Sequence, residues 1–142
     1  MHFIFLYFIT SKDENWKLIL SGLIPLIHLI NTFSEISDKY TSIICDLWGC
    51  LHNGVTSFPE ALRALADFKA SNGKVILVTN APRPISNVEK QIASLGIKEH
   101  HYDMLLTSGD ITSNYINMVC ENKLNIFHIG GKRHHSIYKN MI

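Results

Sequence analysis

The sequence predicts an α/β fold in three layers, in which helices cover both faces of a parallel sheet. Short apolar runs rich in β-branched residues alternate along the chain with segments whose apolar residues recur at helical spacing. Runs that are apolar throughout are typical of parallel strands buried on both faces. The chain has 142 residues, of which 46% are hydrophobic and 18% charged, so one globular core is expected.

The first predicted strand–helix unit has clear start and stop signals. The strand covers residues 41–48, and the helix covers residues 58–73. Pro59 suits the first turn of the helix, and Glu60 suits its positive end. Gly73 is the predicted stop at the carboxyl end of the helix.

The later elements follow at similar intervals. Further strands are predicted at residues 74–80, 102–109 and 124–130, and further helices at residues 86–96, at residues 110–122 and from residue 134 onward. Ser86 and Glu89 have the spacing of a capping box, and Gly96 is the predicted stop of that helix. Asp110 is the predicted N-cap of the helix that follows.

Polar residues stand where the predicted strands end. Parallel sheets bind ligands outside the carboxyl ends of their strands, which here are residues 46–49, Thr79, Asn80 and residues 108–110. Asp46 offers a nucleophile or metal ligand, and Thr79 and Asn80 offer donors to an anion. Together they suggest phosphoryl transfer through an aspartyl phosphate, with Mg²⁺ screening the negative groups. The alternative is that Asp46 caps a turn and the other two residues simply end a strand, and spacing does not decide between these readings.

The motifs at these strand ends resemble a known family. They are "IICDLWGCLHNG" at residues 43–54, "VILVTNAPRP" at residues 75–84, "LLTSGD" at residues 105–110 and "IFHIGG" at residues 126–131. The sequence resembles the haloacid dehalogenase superfamily, and within it class IIA, which includes the NagD-like nucleotide and sugar phosphatases. The resemblance runs from about residue 22 to the end. It implies a Rossmannoid core that is incomplete here, the beginning of a C2-type cap domain, and Mg²⁺-dependent hydrolysis of a small phosphorylated substrate.

The resemblance also assigns roles to individual residues. Asp46 matches the family's nucleophile, which forms a covalent aspartyl phosphate and also binds Mg²⁺. Trp48 occupies the position whose backbone carbonyl is a Mg²⁺ ligand. Thr79 matches the hydroxyl that contacts the transferring phosphoryl group, and Asn80 follows it as in class IIA. Gly49 permits a tight turn that directs backbone N–H groups toward phosphate.

Trp48 is also a departure from the family pattern. Most phosphatases of the superfamily have a second aspartate there, which acts as general acid and base. The indole N–H cannot replace it. The pattern D-x-W-G-x-L-H-N-G nevertheless resembles an uncharacterised hydrolase subfamily within class IIA. His52 is a candidate base, with an exposed turn histidine as the alternative.

The second departure is length. The family resumes its core after the cap with a lysine and an acidic pair, and neither can be assigned in this sequence. We therefore expect an N-terminal extension at residues 1–17, a partial core at residues 18–122 and the beginning of the cap at residues 123–142. The chain alone is then not an efficient phosphatase, and a complementary C-terminal fragment is the expected partner. The alternative is a non-catalytic binding or interaction module that retains part of the fold.

Composition disfavours several other classes. The net charge of +1 offers no strong field for nucleic acid. Apolar runs at residues 1–10 and 18–30 fall short of the ~20 residues that a membrane span needs. The odd count of three cysteines, Cys45, Cys50 and Cys120, favours a reducing cytoplasm over a disulfide framework.

Two ligand classes are also disfavoured. No GxGxxG follows the first predicted strand, which argues against a dinucleotide site. The pairs His100–His101 and His134–His135 are adjacent in sequence, and adjacent side chains point apart on regular elements, so neither pair predicts a zinc site. Cys45 is expected to be a small core residue.

Overall fold

The computed structural model describes residues 6–11, 30–119 and 126–138. The strands are β1 (Leu6–Ser11), β2 (Tyr40–Asp46), β3 (Lys74–Thr79) and β4 (Met104–Thr107). The α-helices are α1 (Pro59–Ala70), α2 (Ile85–Ser94) and α3 (Ser108–Val119). Short 3₁₀ helices lie at Phe33–Glu35, Ser37–Lys39, Glu99–His101 and Lys132–Ile137.

Strands β2, β3 and β4 form a parallel sheet in that order. Asp46 pairs with Val78, and Thr79 pairs with Thr107. The carboxyl ends of all three strands therefore meet at one edge of the sheet. This arrangement confirms the predicted α/β fold with a parallel sheet and helices.

Strand β1 is an element that the sequence did not predict. It pairs antiparallel with β2, from Leu6 opposite Cys45 to Ser11 opposite Tyr40. An unpaired strand edge presents a row of free N–H and C=O groups, which a neighbouring extended segment satisfies. This part of the predicted N-terminal extension thus belongs to the sheet. The remaining expectations for residues 1–5 and 12–29 lie outside the described residues.

The core lies between the sheet and the first two helices. Strand residues Ile43, Val75 and Leu77 are fully buried. The apolar stripes of α1 and α2 join them in one cluster. Its helical members are Leu62, Leu65, Phe68, Val88 and Ile92. The helical spacing in the sequence therefore identifies the buried faces of both helices.

Two predicted helix signals act differently from expectation. Asn72, with φ +65°, takes the left-handed conformation after α1, in place of Gly73. Gly73 is needed for space, because a Cβ there would lie 2.3 Å from the Phe68 ring. The capping box at Ser86 and Glu89 is wrong, because α2 begins at Ile85 and Ser86 already lies inside it.

Helix α3 begins two residues earlier than predicted. The Asp110 N–H donates to Thr107 Oγ1 at 3.1 Å, so Thr107 caps the helix and Asp110 lies in its first turn. Among the described residues 126–130 there is no strand, although the sequence predicted one at residues 124–130. The predicted helix from residue 134 is a 3₁₀ helix over Lys132–Ile137. The division of the chain into three segments stays a prediction.

Candidate active site

Asp46 is half-buried at the end of β2, where the chain leaves the sheet. Its Oδ1 accepts the Leu47 N–H at 2.7 Å. Leu47 is buried in the core, which anchors the first residue of the turn. The carboxylate is therefore held at the strand end with its second oxygen, Oδ2, outside this bond.

The turn after Asp46 closes on itself. Gly49 has φ +81° and donates its N–H to the His52 carbonyl at 2.8 Å. The Leu51 N–H donates to the Leu47 carbonyl at 2.9 Å. Gly49 permits the tight turn as predicted, but its own N–H points into the turn. The Trp48 N–H finds no acceptor among the described residues, so it is the turn amide available to an anion.

The Trp48 side chain lies on the surface of the turn, with 67% of it exposed. A Cβ on Gly54 would lie 3.5 Å from Trp48 Nε1, so the indole lies against the Gly54 backbone. Gly54 has φ +92°, a conformation that side-chain-bearing residues rarely adopt. The final glycine of the motif therefore provides the backbone conformation, and a side chain there would be in ordinary van der Waals contact with the indole.

His52 is buried, with 4% of its surface exposed, so the alternative of an exposed turn histidine is wrong. Its Nδ1 accepts the Gly54 N–H at 2.9 Å. Because a backbone N–H can only donate, Nδ1 is unprotonated and Nε2 carries the proton of the neutral ring. Burial lowers the pKa of His52, and the negative charge of Asp46 opposes that shift. No residue pattern in the sequence indicates this burial.

The end of β3 provides the second half of the site. Thr79 is half-buried and its Oγ1 accepts the Ala81 N–H at 3.2 Å. Asn80 is exposed. Because Asp46 pairs with Val78, Thr79 lies one residue further along the neighbouring strand, roughly 6 Å away between Cα atoms. The structure therefore brings Asp46, Thr79 and Asn80 to one edge, as the sequence predicted for parallel strands.

The first turn of α3 holds the loop after β3. Ser108 Oγ donates to the Asn80 carbonyl at 2.9 Å, and the Gly109 N–H donates to the Ala81 carbonyl at 3.2 Å. A Cβ on Gly109 would lie 2.4 Å from the Arg83 backbone nitrogen. The sequence predicts that residues 108–110 follow a strand at the ligand-binding edge, and in the structure they support the loop after β3.

Asp110 completes this support. Its Oδ2 accepts the Ile85 N–H at the beginning of α2 and the Thr107 hydroxyl, the latter at 2.9 Å. Thr107 is fully buried. One carboxylate oxygen thus joins the amino termini of α2 and α3. Sequence reasoning missed this link because Ile85 lies 25 residues from Asp110.

The oxygen donors at the β2 end suit Mg²⁺. The second oxygen of Asp46 and the Trp48 carbonyl accept none of the backbone or side-chain hydrogen bonds found in the turn. Mg²⁺ prefers such hard oxygen ligands and keeps several waters. Over residues 6–11, 30–119 and 126–138, no three His, Cys, Asp or Glu side chains group as a metal site. The second Asp46 oxygen and the Trp48 carbonyl are two such oxygen ligands, so they form a partial ligand set for Mg²⁺.

Two cysteines lie close to Asp46 in the sequence, one on each side. Cys45 and Cys50 are both buried, and both are thiols rather than disulfide partners. A hydrogen bond with Cys50, followed by burial, raises the pKa of Cys45, which keeps the thiol protonated and unreactive. Cys45 is a core residue, as predicted. Cys120 lies outside the described residues.

The parallel sheet and its helices form part of a Rossmannoid fold, with polar side chains at the strand ends. Residues 43–141 match a family described as haloacid dehalogenase-like hydrolase. This match covers more than half of the chain, so the chain belongs to the haloacid dehalogenase-like hydrolases. The comparison with curated proteins found no match.

A solved structure agrees with this assignment. The chain is similar to a crystal structure of a hydrolase of the haloacid dehalogenase-like family from Brucella suis 1330, with 41% sequence identity and a TM-score of 0.71. The similarity covers 80% of this chain and 41% of that chain. This chain therefore spans less than half the length of the Brucella hydrolase. In the part of the chain that the structure describes, no helix has the length and apolar character of a bilayer crossing.

Proposed function

We propose that this chain carries the nucleophile and phosphate-binding half of a Mg²⁺-dependent phosphohydrolase of the class IIA, NagD-like branch. The observation that carries the proposal is the position of Asp46 and Thr79 at the ends of neighbouring parallel strands. A carboxylate beside donors to an anion is the arrangement that phosphoryl transfer through an aspartyl phosphate requires. We also propose a cytoplasmic location, because the three cysteines of the chain favour a reducing compartment.

The proposed reaction has two steps. A carboxylate oxygen of Asp46 attacks phosphorus, and the bond from phosphorus to the leaving oxygen breaks. Water then attacks the aspartyl phosphate, which releases inorganic phosphate and restores the carboxylate. The Thr79 hydroxyl, the Asn80 amide and the free Trp48 N–H are the donors that bind the phosphoryl oxygens. Asp46 and the Trp48 carbonyl would hold Mg²⁺, which would supply charge neutralisation between carboxylate and phosphate.

Trp48 restricts the substrates of this reaction. The indole cannot protonate a leaving oxygen, and His52 is buried with Nδ1 already in a hydrogen bond. The leaving group must therefore depart as a stable anion or take its proton from outside these residues. We expect aryl phosphates to react faster than alkyl phosphates, and Trp48→Asp to reduce that preference.

The residues that complete the site are part of this proposal. The lysine and acidic pair that the family uses have no counterparts among the matched strand-end motifs of this chain. We propose that a C-terminal portion of the family fold, in the same or in a separate polypeptide, supplies them and completes the Mg²⁺ site. The solved Brucella hydrolase gives a source for such a fragment, because 59% of that chain lies beyond the similarity (100 minus the 41% that is covered).

One surface favours the alternative of a binding module. Helix α3 exposes Ile111, Tyr115, Met118 and Val119, which are between 53% and 73% exposed. Their spacing places them on one side of the helix. An apolar stripe of this kind serves a protein partner, and a pure binding module would use it without Asp46.

Reconstitution tests the proposal. The chain would be mixed with the unmatched portion of the Brucella hydrolase and assayed with an aryl phosphate and Mg²⁺. We expect slow or no hydrolysis by the chain alone, and hydrolysis by the mixture that Asp46→Asn abolishes. The same chain should bind Mg²⁺ with beryllofluoride, a phosphoryl analogue, and Asp46→Asn should not. Equal beryllofluoride binding by both proteins would refute the assignment of Asp46, and binding of the fragment by both proteins without hydrolysis would favour the module.

A further inference from the structure

We propose that His52 is a positioning residue, which fixes the turn after Asp46 and the orientation of Trp48 through the hydrogen bond from Gly54 to its ring. The proposal rests on the proposed function for its catalytic consequence. It is carried by the burial of His52, its bond to Gly54 and the contact between Gly54 and the indole.

His52 joins both ends of the turn. Its carbonyl accepts the Gly49 N–H at 2.8 Å, and its ring accepts the Gly54 N–H at 2.9 Å. Both glycines have positive φ, a conformation that other residues rarely adopt. A single buried residue thus accepts a hydrogen bond from each of the two glycines.

The ring bond also determines where the indole lies. Gly54 lies against Trp48 Nε1, and the Gly54 N–H is held by His52 Nδ1. Movement of Gly54 would therefore change the space beside the indole. The Trp48 N–H and carbonyl, which the proposed reaction uses, belong to the same residue. His52 therefore acts on the reaction through Gly54 and Trp48.

The same geometry argues against His52 as the general base. A base needs a free lone pair, and in the neutral ring that lone pair lies on Nδ1, which accepts the Gly54 N–H. Nε2 carries the proton in this tautomer. The residue as a whole is buried, so water has little access to it.

Paired substitutions separate positioning from general packing. Asn places an acceptor near the position of Nδ1, Gln places one near Nε2, and Leu offers none. His101 supplies the matched control, because it is also buried and its Nδ1 accepts the Lys98 N–H at 3.0 Å. It lies in the turn before β4, at the opposite end of the sheet. The variants would be His52→Asn, His52→Gln, His52→Leu and His101→Gln, in a Trp16→Phe background that leaves Trp48 as the single tryptophan.

The first readout is physical and needs no activity. Exchange of the Gly54 amide and the NMR resonance of the Trp48 indole N–H would be followed in the full chain. We expect His52→Asn to keep both near wild type, and His52→Gln and His52→Leu to speed Gly54 exchange about tenfold or more and shift the indole signal. His101→Gln should leave both unchanged. Equal behaviour of the Asn and Gln variants, or an unmoved indole signal in all folded variants, would overturn the proposal.

The second readout is functional. In the reconstituted mixture, we expect His52→Gln to lower kcat for aryl phosphate about tenfold or more, since small misplacements of reacting groups are costly. His52→Asn should recover most of that loss, and His101→Gln should match wild type. A His52→Gln variant with shifted Gly54 and Trp48 signals but wild-type kcat would overturn the catalytic consequence. If wild type and Asp46→Asn bind beryllofluoride alike, the proposed function fails, and the Gly54 and Trp48 signals still decide the positioning separately.

Discussion

The two turns that form the candidate site differ in how far they are held from outside. The turn after β2 closes on its own residues, through Gly49 to His52, Leu51 to Leu47 and Gly54 to His52. The loop after β3 has short internal bonds, such as that from Ala81 to Thr79, and is also held from outside by Ser108, Gly109 and Asp110 at the beginning of α3. The turn after β2 should therefore keep its shape when its surroundings change, whereas the loop after β3 should depend on the docking of α3.

The largest expected effect tests the external support. In Gly109→Ala, the new methyl group would lie 2.4 Å from the Arg83 backbone, which no rotamer change relieves. We expect a loss of about 3 kcal/mol in the free energy of unfolding, measured by denaturant titration. Gly49→Ala is the matched control in the other turn, where nothing lies within 4 Å and only the positive φ opposes a side chain. It should cost about 1 kcal/mol, and the contrast between turns fails if the two variants are equally stable.

A smaller effect is expected at Asp110. Asp110→Ala removes the acceptor of both the Ile85 N–H and the Thr107 hydroxyl, and Thr107 is fully buried. We expect a loss of about 2 kcal/mol, with faster hydrogen exchange at Ile85 and unchanged exchange at Gly54. Ser108→Ala removes a more exposed bond and should cost less. Equal acceleration at Gly54 would show that the two turns are not independent.

The smallest expected effect concerns pH. Burial, followed by the charge of His100, lowers the pKa of His101. Because the folded pKa lies below the unfolded value of about 6.5, the neutral ring contributes stability that is fully present above that value and is lost as pH falls. Stability measured from pH 7.5 to pH 5 should therefore decline, and His101→Asn should flatten the decline. A wild-type profile without such a decline would contradict the burial of a neutral ring.

The same contrast explains what the sequence could predict. Asp46, Thr79 and the β2–α1–β3 order follow from local periodicity, because each strand is a continuous apolar run and parallel strands align their ends. The role of Asp110 depends on Ile85, which is far away in sequence, so local cap rules assigned it wrongly. His52 lies within the motif at residues 43–54, which the sequence analysis identified. Its burial, however, follows from how the turn folds over the core.

Two other departures have tertiary causes. Strand β1 pairs with β2, which lies far from it in sequence. No local sequence pattern predicts this pairing. Gly73 is predicted as a helix stop, but a side chain at this position would clash with the Phe68 ring, so glycine is needed there for space. In each case the residue type is informative, and the physical reason for it lies in a partner that the sequence does not identify.

The bond from Gly54 to His52 also bears on the chemical lifetime of the chain. Asn–Gly sequences deamidate when the glycine nitrogen attacks the asparagine side-chain carbonyl, with loss of ammonia. Here the Gly54 nitrogen is engaged by His52 Nδ1, and the Asn53 side-chain oxygen accepts the N–H groups of Val55 and Thr56 at 2.9 and 2.8 Å. The native turn thus holds the two reacting groups in other bonds, and the folded chain should deamidate at Asn53 more slowly than the unfolded chain.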